Sequence, residues 1–390
     1  MKRLMSLIHF KAKSRTGNRV ACHTSSTRWK SINLLIGGFF CISQLCFAQA
    51  NETDPPEDTV VTKIKKYKPK ISGFIQFGFL QNFDSNNDQQ TNPSRFRVHR
   101  VRVKVGGKIS KDISYQVEID PRAPRVTGFL RDAYISLNYI PKHDILIGQQ
   151  KTQFGYENTV SSSNLYFVNR TENADALSRG INLRDIGIGL IGSIKLNDRW
   201  RIEDAVTLVN GAGMNVQNDN NDKKSIWGRV GVRYKTDNVK WKFGVSSAKA
   251  DRQEIDVDSL GMPIDWFINF TRLGVDIQYE NKWFTFVTEY ILGNNDEPED
   301  PLYSETRATS AVAGYYVMAA GKTPFDAGPT LRFEDFDGEF QRWTIGAYYG
   351  EPSARLRILA NYEIRKEVGN TTEELLRDDS RFYLWLMVRF

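Results

Sequence analysis

Ser94 to Ile109, SRFRVHRVRVKVGGKI, is the stretch that most narrows the choice of fold. In strand period, Phe96 and Val98 oppose Arg95 and Arg97, while Val101, Val103 and Val105 oppose Arg100, Arg102 and Lys104. The phase slips once, near His99. One extra residue in a β-bulge there restores the phase, placing all five cations on one face and only apolar groups on the other. A soluble sheet would set that cationic face in water and the apolar face against protein, so the rest of the chain has to decide.

The first fifty residues do not read as part of the fold. Ile32 to Phe47, INLLIGGFFCISQLCF, is an apolar run shorter than a bilayer span, preceded by cations and followed by Ala48-Gln49-Ala50. Residues 1–50 are expected to be a cleaved secretory signal. Residues 51–70, polar with Pro55, Pro56 and Pro69 and ending KIKKYKPK, are expected to be a flexible periplasmic lead-in. Eight of the 53 lysines and arginines precede Ala50 and no acid does, which leaves 45 basic against 46 acidic groups, net −1, in the exported chain. The basic surplus therefore belongs to the leader and argues for no nucleic-acid partner. Cys22, Cys41 and Cys46 also precede the cut, so the exported chain has no disulfides and no thiolate metal ligands.

From Ile71 onward there is no convincing amphipathic helix, but sixteen strand-like runs. They lie near 71–83, 94–109, 112–120, 129–139, 144–154, 184–196, 200–209, 225–235, 239–249, 267–280, 283–293, 308–320, 328–336, 340–349, 354–366 and 381–390. Even-numbered runs end in tight turns such as Ser110-Lys111, Asn197-Asp198 and Asn281-Lys282. Most odd-numbered runs end in polar loops such as SNNDQQTN, LGNNDEPEDP and EVGNTTEELLRDD. Short turns on one rim and long loops on the other predict an all-β fold: a transmembrane antiparallel β-barrel with periplasmic turns and external loops. A β-sandwich gives no reason for that alternation.

The faces agree. Trp343, Ile345, Ala347 and Tyr349 alternate with Arg342, Thr344, Gly346 and Tyr348, and Phe382, Leu384, Leu386, Val388 and Phe390 alternate with Arg381, Tyr383, Trp385, Met387 and Arg389. One side suits lipid and the other suits water. Aromatics at 12% fit two interfacial girdles. One loop, about 155–183, is long enough to fold inward; its polar sequence carries Leu165-Tyr166-Phe167, which could pack on an inner wall, and it is expected to constrict the pore.

Over most of residues 71–390 the chain resembles the phosphate-selective porins O and P, and especially their Bacteroidetes relatives. The resemblance is carried by Phe96-Arg97-Val98-His99-Arg100-Val101-Arg102, Leu130-Arg131-Asp132-Ala133-Tyr134-Ile135 and Ile147-Gly148-Gln149-Gln150-Lys151-Thr152-Gln153-Phe154-Gly155. Later matches are Arg184-Asp185-Ile186-Gly187, Gly314-Tyr315-Tyr316-Val317, NYEIRK and the terminal Phe390. At Gln153 the chain departs from the proline common in the family. The resemblance implies a sixteen-stranded barrel, a homotrimer, and a lumen in which arginines and lysines pass anions towards a constriction.

Cations along a narrow aqueous path lower the barrier for an anion, and low-dielectric walls focus their field. Arg95, Arg97, Arg100, Arg102 and Lys104 are the ladder candidates, joined by Arg342, Arg355, Arg357 and, at the base of the inward loop, Lys151. The competing reading is that such cations pair with lumenal acids such as Asp132, Asp276, Glu289 and Glu363 and only brace the wall. Gly187 to Gly192 spells GxGxxG, but the dinucleotide fingerprint needs a helix after it, whereas SIKLNDRWRIE continues in strand period. His99 and His143 are the histidines left after the leader, and no HExxH or GxSxG motif is present, so no enzyme, no cofactor and no metal is expected. The expectation is a bacterial outer-membrane porin passing small anions such as phosphate. Its other partners would be outer-membrane lipid and, through Phe390, the barrel-assembly machinery. A general porin without anion preference and a plugged structural or adhesive barrel are the alternatives.

Overall fold

The computed structural model describes residues 68–83, 94–123, 128–177, 184–216, 218–219, 223–257, 263–298, 307–337, 339–368 and 379–390. The expected leader, residues 51–67 of the lead-in and residues 178–183 of the long loop lie outside them. Sixteen strands run in chain order: β1 Lys70–Asn82, β2 Ser94–Lys108, β3 Ile113–Ile119, β4 Leu130–Ile140, β5 His143–Lys151, β6 Arg184–Lys195, β7 Trp200–Val209 and β8 Ser225–Lys235. The second half comprises β9 Val239–Val257, β10 Pro263–Asn281, β11 Phe284–Pro298, β12 Arg307–Gly321, β13 Ala327–Phe336, β14 Phe340–Tyr349, β15 Leu356–Glu367 and β16 Asp379–Arg389. Each pairs with its chain neighbours, and β1 pairs with β16 to close the barrel. Closure leaves no sheet edge, which is the condition for crossing lipid with strands. The seam ends in a reciprocal pair of backbone bonds between Gly73 and Phe390, 3.0 and 3.1 Å.

The slip in β2 is a bulge at His99. Gln76 pairs with Arg100 and Phe77 with Val98, so His99 is the unmatched residue. Below it Arg102 faces Phe74 and Lys104 faces Ser72; above it Arg97 faces Gly78 and Arg95 faces Leu80. Phe74, Gln76 and Leu80 are buried, whereas Phe96 and Val98 are exposed to the lipid side at 72% and 44%. All five cations therefore share the inner face, roughly 6.6 Å apart along the strand. Elsewhere the same parity holds: Trp343, Ile345, Ile358, Ile364, Leu384 and Leu386 point outward, while Thr344, Arg357, Asn361, Glu363, Tyr383 and Trp385 are buried on the lumen side.

Three boundaries differ from the sequence reading. β9 and β10 continue to Val257 and from Pro263, pairing well beyond the last β8 partner, Ile226 opposite Lys249. Outside the lipid a two-stranded ribbon needs a backbone ladder but no apolar face, so its alternation fades from the sequence. β5 ends at Lys151 rather than 154, because its partner β6 begins opposite it at Arg184. Thr152 to Phe154 then turn inward, and Phe154, fully buried, meets the Trp227 ring at 5.9 Å.

Residues 155–177 line the inner wall of β9 to β16. The backbone N–H groups of Tyr156 and Glu157 donate to the Glu289 carboxylate at 2.9 and 3.2 Å, and Val168 N–H donates to Asn361 at 2.8 Å. Asn173 reaches the Tyr315 and Asp335 carbonyls. Tyr166, Phe167 and Val168 are buried with Val287, Tyr316, Met318, Tyr348 and Trp385. The segment thus covers one half of the lumen wall and leaves the β2 to β6 half facing it.

Candidate functional site

Between that segment and the β1 to β6 wall lies a cavity of about 360 Å³. Arg100, Arg102, Lys104, Arg131 and Arg184 line it from the wall, and Lys151 and Arg170 from β5 and the loop; Glu118 and Asp132 are its carboxylates. Seven cations against two carboxylates leave a surplus of five positive charges. Thr159, Ser161 and Ser162 complete the loop side.

Each cation is held by the local architecture. Arg100 donates to the Gln76 amide oxygen at 3.1 Å and to the Val168 carbonyl at 3.5 Å, bridging β1 and the loop. Arg102 pairs with Asp120 and, at 3.6 Å, with Glu118. Arg184 pairs with Asp132 at 2.5 Å and Glu118 at 3.5 Å, and Gln116 donates to Asp132 at 3.1 Å. This chain of opposite charges fixes the wall and leaves the two carboxylates partly neutralised. Lys104 stands opposite Glu118 in register but has no ion pair within 4 Å among the described residues. Lys151 donates to the carbonyls of Asn158, Thr159 and Val160 at 3.1 to 3.3 Å. Arg170 donates to the Glu157 and Val160 carbonyls. These two cations satisfy the end of a one-turn helix, Tyr156–Thr159, and turn the loop towards the cavity.

Of the nine residues singled out from sequence, Arg100, Arg102, Lys104 and Lys151 meet here. Arg95 and Arg97 sit on the same face nearer the loop rim, Arg97 with its guanidinium 5.1 Å from the Trp385 ring. Arg342 is taken up by Glu334 at 2.6 Å. Arg357 is buried, donating to the Gly350 and Ser163 carbonyls, and Arg355 is exposed at the turn before β15. Arg131, Arg170 and Arg184 are cavity residues that strand parity alone did not single out. The GxGxxG run lies inside β6 with no helix after it; a Cβ on Gly189 would come within 2.4 Å of the buried Gln150 amide.

A cavity of this make-up concentrates anions and offers planar guanidinium forks to oxyanions, with hydroxyls beside them. The model of the family phosphate-selective porin O and P matches residues 70–229. That span carries β1 to β7, the start of β8, and every cavity residue. Comparison with curated proteins gave no match. Among solved structures, the anion-selective porin from Comamonas acidovorans superposes with a TM-score of 0.56 at 11% identity, covering 83% of this chain and 100% of the other. OmpT of Vibrio cholerae lacking loop L8 gives 0.55 at 11% identity, 83% and 100%. The channel DcaP of Acinetobacter baumannii gives 0.55 at 11% identity, 84% and 98%. At these identities the superpositions speak for the sixteen-stranded fold. Family match and fold both point to a channel.

Proposed function

We propose that this chain, whose residues 70–229 match the phosphate-selective porin O and P family, is an outer-membrane porin that passes small anions, phosphate foremost, down their gradients. The observation that carries the reading is the charge around the cavity: seven cations and two carboxylates between the inward segment and the β1 to β6 wall. Arg95 and Arg97 on the loop-rim side of β2 draw anions in, and Arg100, Arg102, Lys104, Arg131 and Arg184 replace part of the lost hydration. Tetrahedral oxyanions gain more than chloride does, because the guanidinium forks and the Ser161 and Ser162 hydroxyls address several oxygens at once.

The same reading has the chain exported by a leader ending near Ala50, inserted through the assembly machinery acting on Phe390, and assembled as a homotrimer. Reversal potentials in planar bilayers under asymmetric KCl test it, followed by replacement of chloride with phosphate. An anion-selective pore slowed by phosphate occupancy is expected. A cation-selective or unselective pore refutes anion selectivity, and the absence of conductance steps refutes transport in favour of a plugged barrel.

A further inference from the structure

The tip of the inward segment is seated by two arginines at the turn rim. Ser162–Asn164 forms a single 3₁₀ turn capped by Ser161. The Ser163 carbonyl accepts from Arg357 Nη1 at 2.6 Å and also from Arg389 Nη2, which in addition donates to Asn164 Oδ1 at 2.7 Å. Arg357 is 1% exposed, and its Nε donates to the Gly350 carbonyl at 3.0 Å. Two guanidinium groups thus converge on one neutral oxygen.

Their partners differ from those of the ion-paired lumen arginines. Arg102, Arg184, Arg229, Arg332 and Arg342 each have a carboxylate within 4 Å. Arg357 and Arg389 have none within that distance among the described residues. Glu351, on the adjoining turn, has its oxygens engaged by the Tyr348 and Tyr166 hydroxyls at 2.8 and 3.1 Å. Phe390 turns its terminal backbone to Gly73 at the seam. Arg357 Nη2 and Arg389 Nε remain buried donors without a partner among the described residues. Buried Arg357 and half-buried Arg389, bonded only to neutral oxygens, are short of a counter-charge, and an oxyanion supplies it while offering two oxygens to the planar fork.

We propose that Arg357 and Arg389 form an oxyanion-binding site at the turn-rim mouth, occupied by the Ser163 carbonyl in the empty pore and yielded to a phosphate-like anion leaving the cavity. Binding there unseats the loop tip. Ser161 and Ser162 line the cavity next to the seated carbonyl, so tip release widens the cavity when anion is abundant. The site rests on the reading of the lumen as an anion path and adds to it a response to load.

The test places a fluorophore on Ser162→Cys, the chain's own cysteines all lying in the expected leader. Inorganic phosphate is then titrated into the detergent-folded protein at constant ionic strength. A saturable change in emission is expected, with Arg389→Lys keeping part of it. Arg357→Gln/Arg389→Gln should show the released signal at zero phosphate and an affinity about tenfold or more weaker. Heat-modifiable migration of each variant certifies that the barrel is folded. A flat wild-type titration, an equal response to total salt alone, or an unchanged response in the double variant overturns the site. Bilayer selectivity is measured separately, so a cation-selective pore would overturn the anion path without deciding this assay.

Discussion

Lys104 is the cleanest place to ask whether lumenal charge sets selectivity. It faces the cavity, lacks an ion pair among the described residues, and its removal leaves the Asp120–Arg102–Glu118–Arg184–Asp132 chain intact. At about 6 Å from a passing ion, one unit charge is worth about 0.7 kcal/mol at the dielectric of water and about 2.8 kcal/mol at an effective dielectric near 20. The cavity is wet, so the lower end applies, and Lys104→Gln is expected to cut the anion-to-cation permeability ratio roughly three- to fivefold in 0.1 M salt. Lys104→Glu changes the charge by two units and should lower the ratio about tenfold or more. In 1 M salt the screening length falls to about 3 Å and both effects should nearly vanish. The control is Lys282→Gln, on the turn between β10 and β11, where the ammonium lies over the Trp283 ring at 4.6 Å and outside the cavity. Reversal potentials under a salt gradient give the ratios directly. If Lys104→Gln leaves them unchanged at low salt, or Lys282→Gln moves them equally, the local field of the cavity is not the source of selectivity.

Three further substitutions probe the supports. Asp132→Asn removes one of the cavity's two carboxylates while keeping an acceptor for Arg184. Anion preference should rise roughly threefold in 0.1 M salt, read as a reversal potential, while thermal stability falls because a buried charge loses its partner. Glu289→Gln halves the oxygens available to the Tyr156 and Glu157 N–H groups, and an orphaned buried donor costs about 1–3 kcal/mol. The expected result is more frequent current substates from a barrel whose heat-modifiable migration is normal; quiet, wild-type traces would refute Glu289 as the anchor. Gly148 has φ +130°, and a Cβ there would lie 2.2 Å from the Ala133 carbonyl oxygen. Gly148→Ala is therefore expected to lower folding yield in detergent, through strain of roughly 1–3 kcal/mol, and an unchanged yield would show that β4 and β5 can shift apart.

What could be read from the chain divides along a physical line. Strand parity is local, so the slip at His99, the lipid-facing Trp343 and Ile345, and the rim of short turns were all legible from residues a few positions apart. Pairing between strands distant in sequence is not local. Asp132, Asp276 and Glu363 could be named as wall acids, but their partners proved to be Arg184, Arg229 and Arg332 rather than the β2 ladder, because the barrel's curvature and the loop's path decide which side chains meet. The same reason explains Arg342 and Arg357. In strand period they look like ladder rungs, but one is neutralised by Glu334 across the β13–β14 pair and the other is spent on a loop carbonyl. Arg131, Arg170 and Arg184 went unmarked because each stands outside a run of alternating cations and enters the cavity only once a strand end or loop turn brings it there. Two of them lie within the LRDAYI and RDIG segments that carry the family resemblance. A charge count over the whole of residues 51–390, 45 basic against 46 acidic groups, would have hidden the site altogether. Selectivity in a barrel follows from which charges the wall leaves uncompensated at the narrowest point, and that depends on pairing across the lumen.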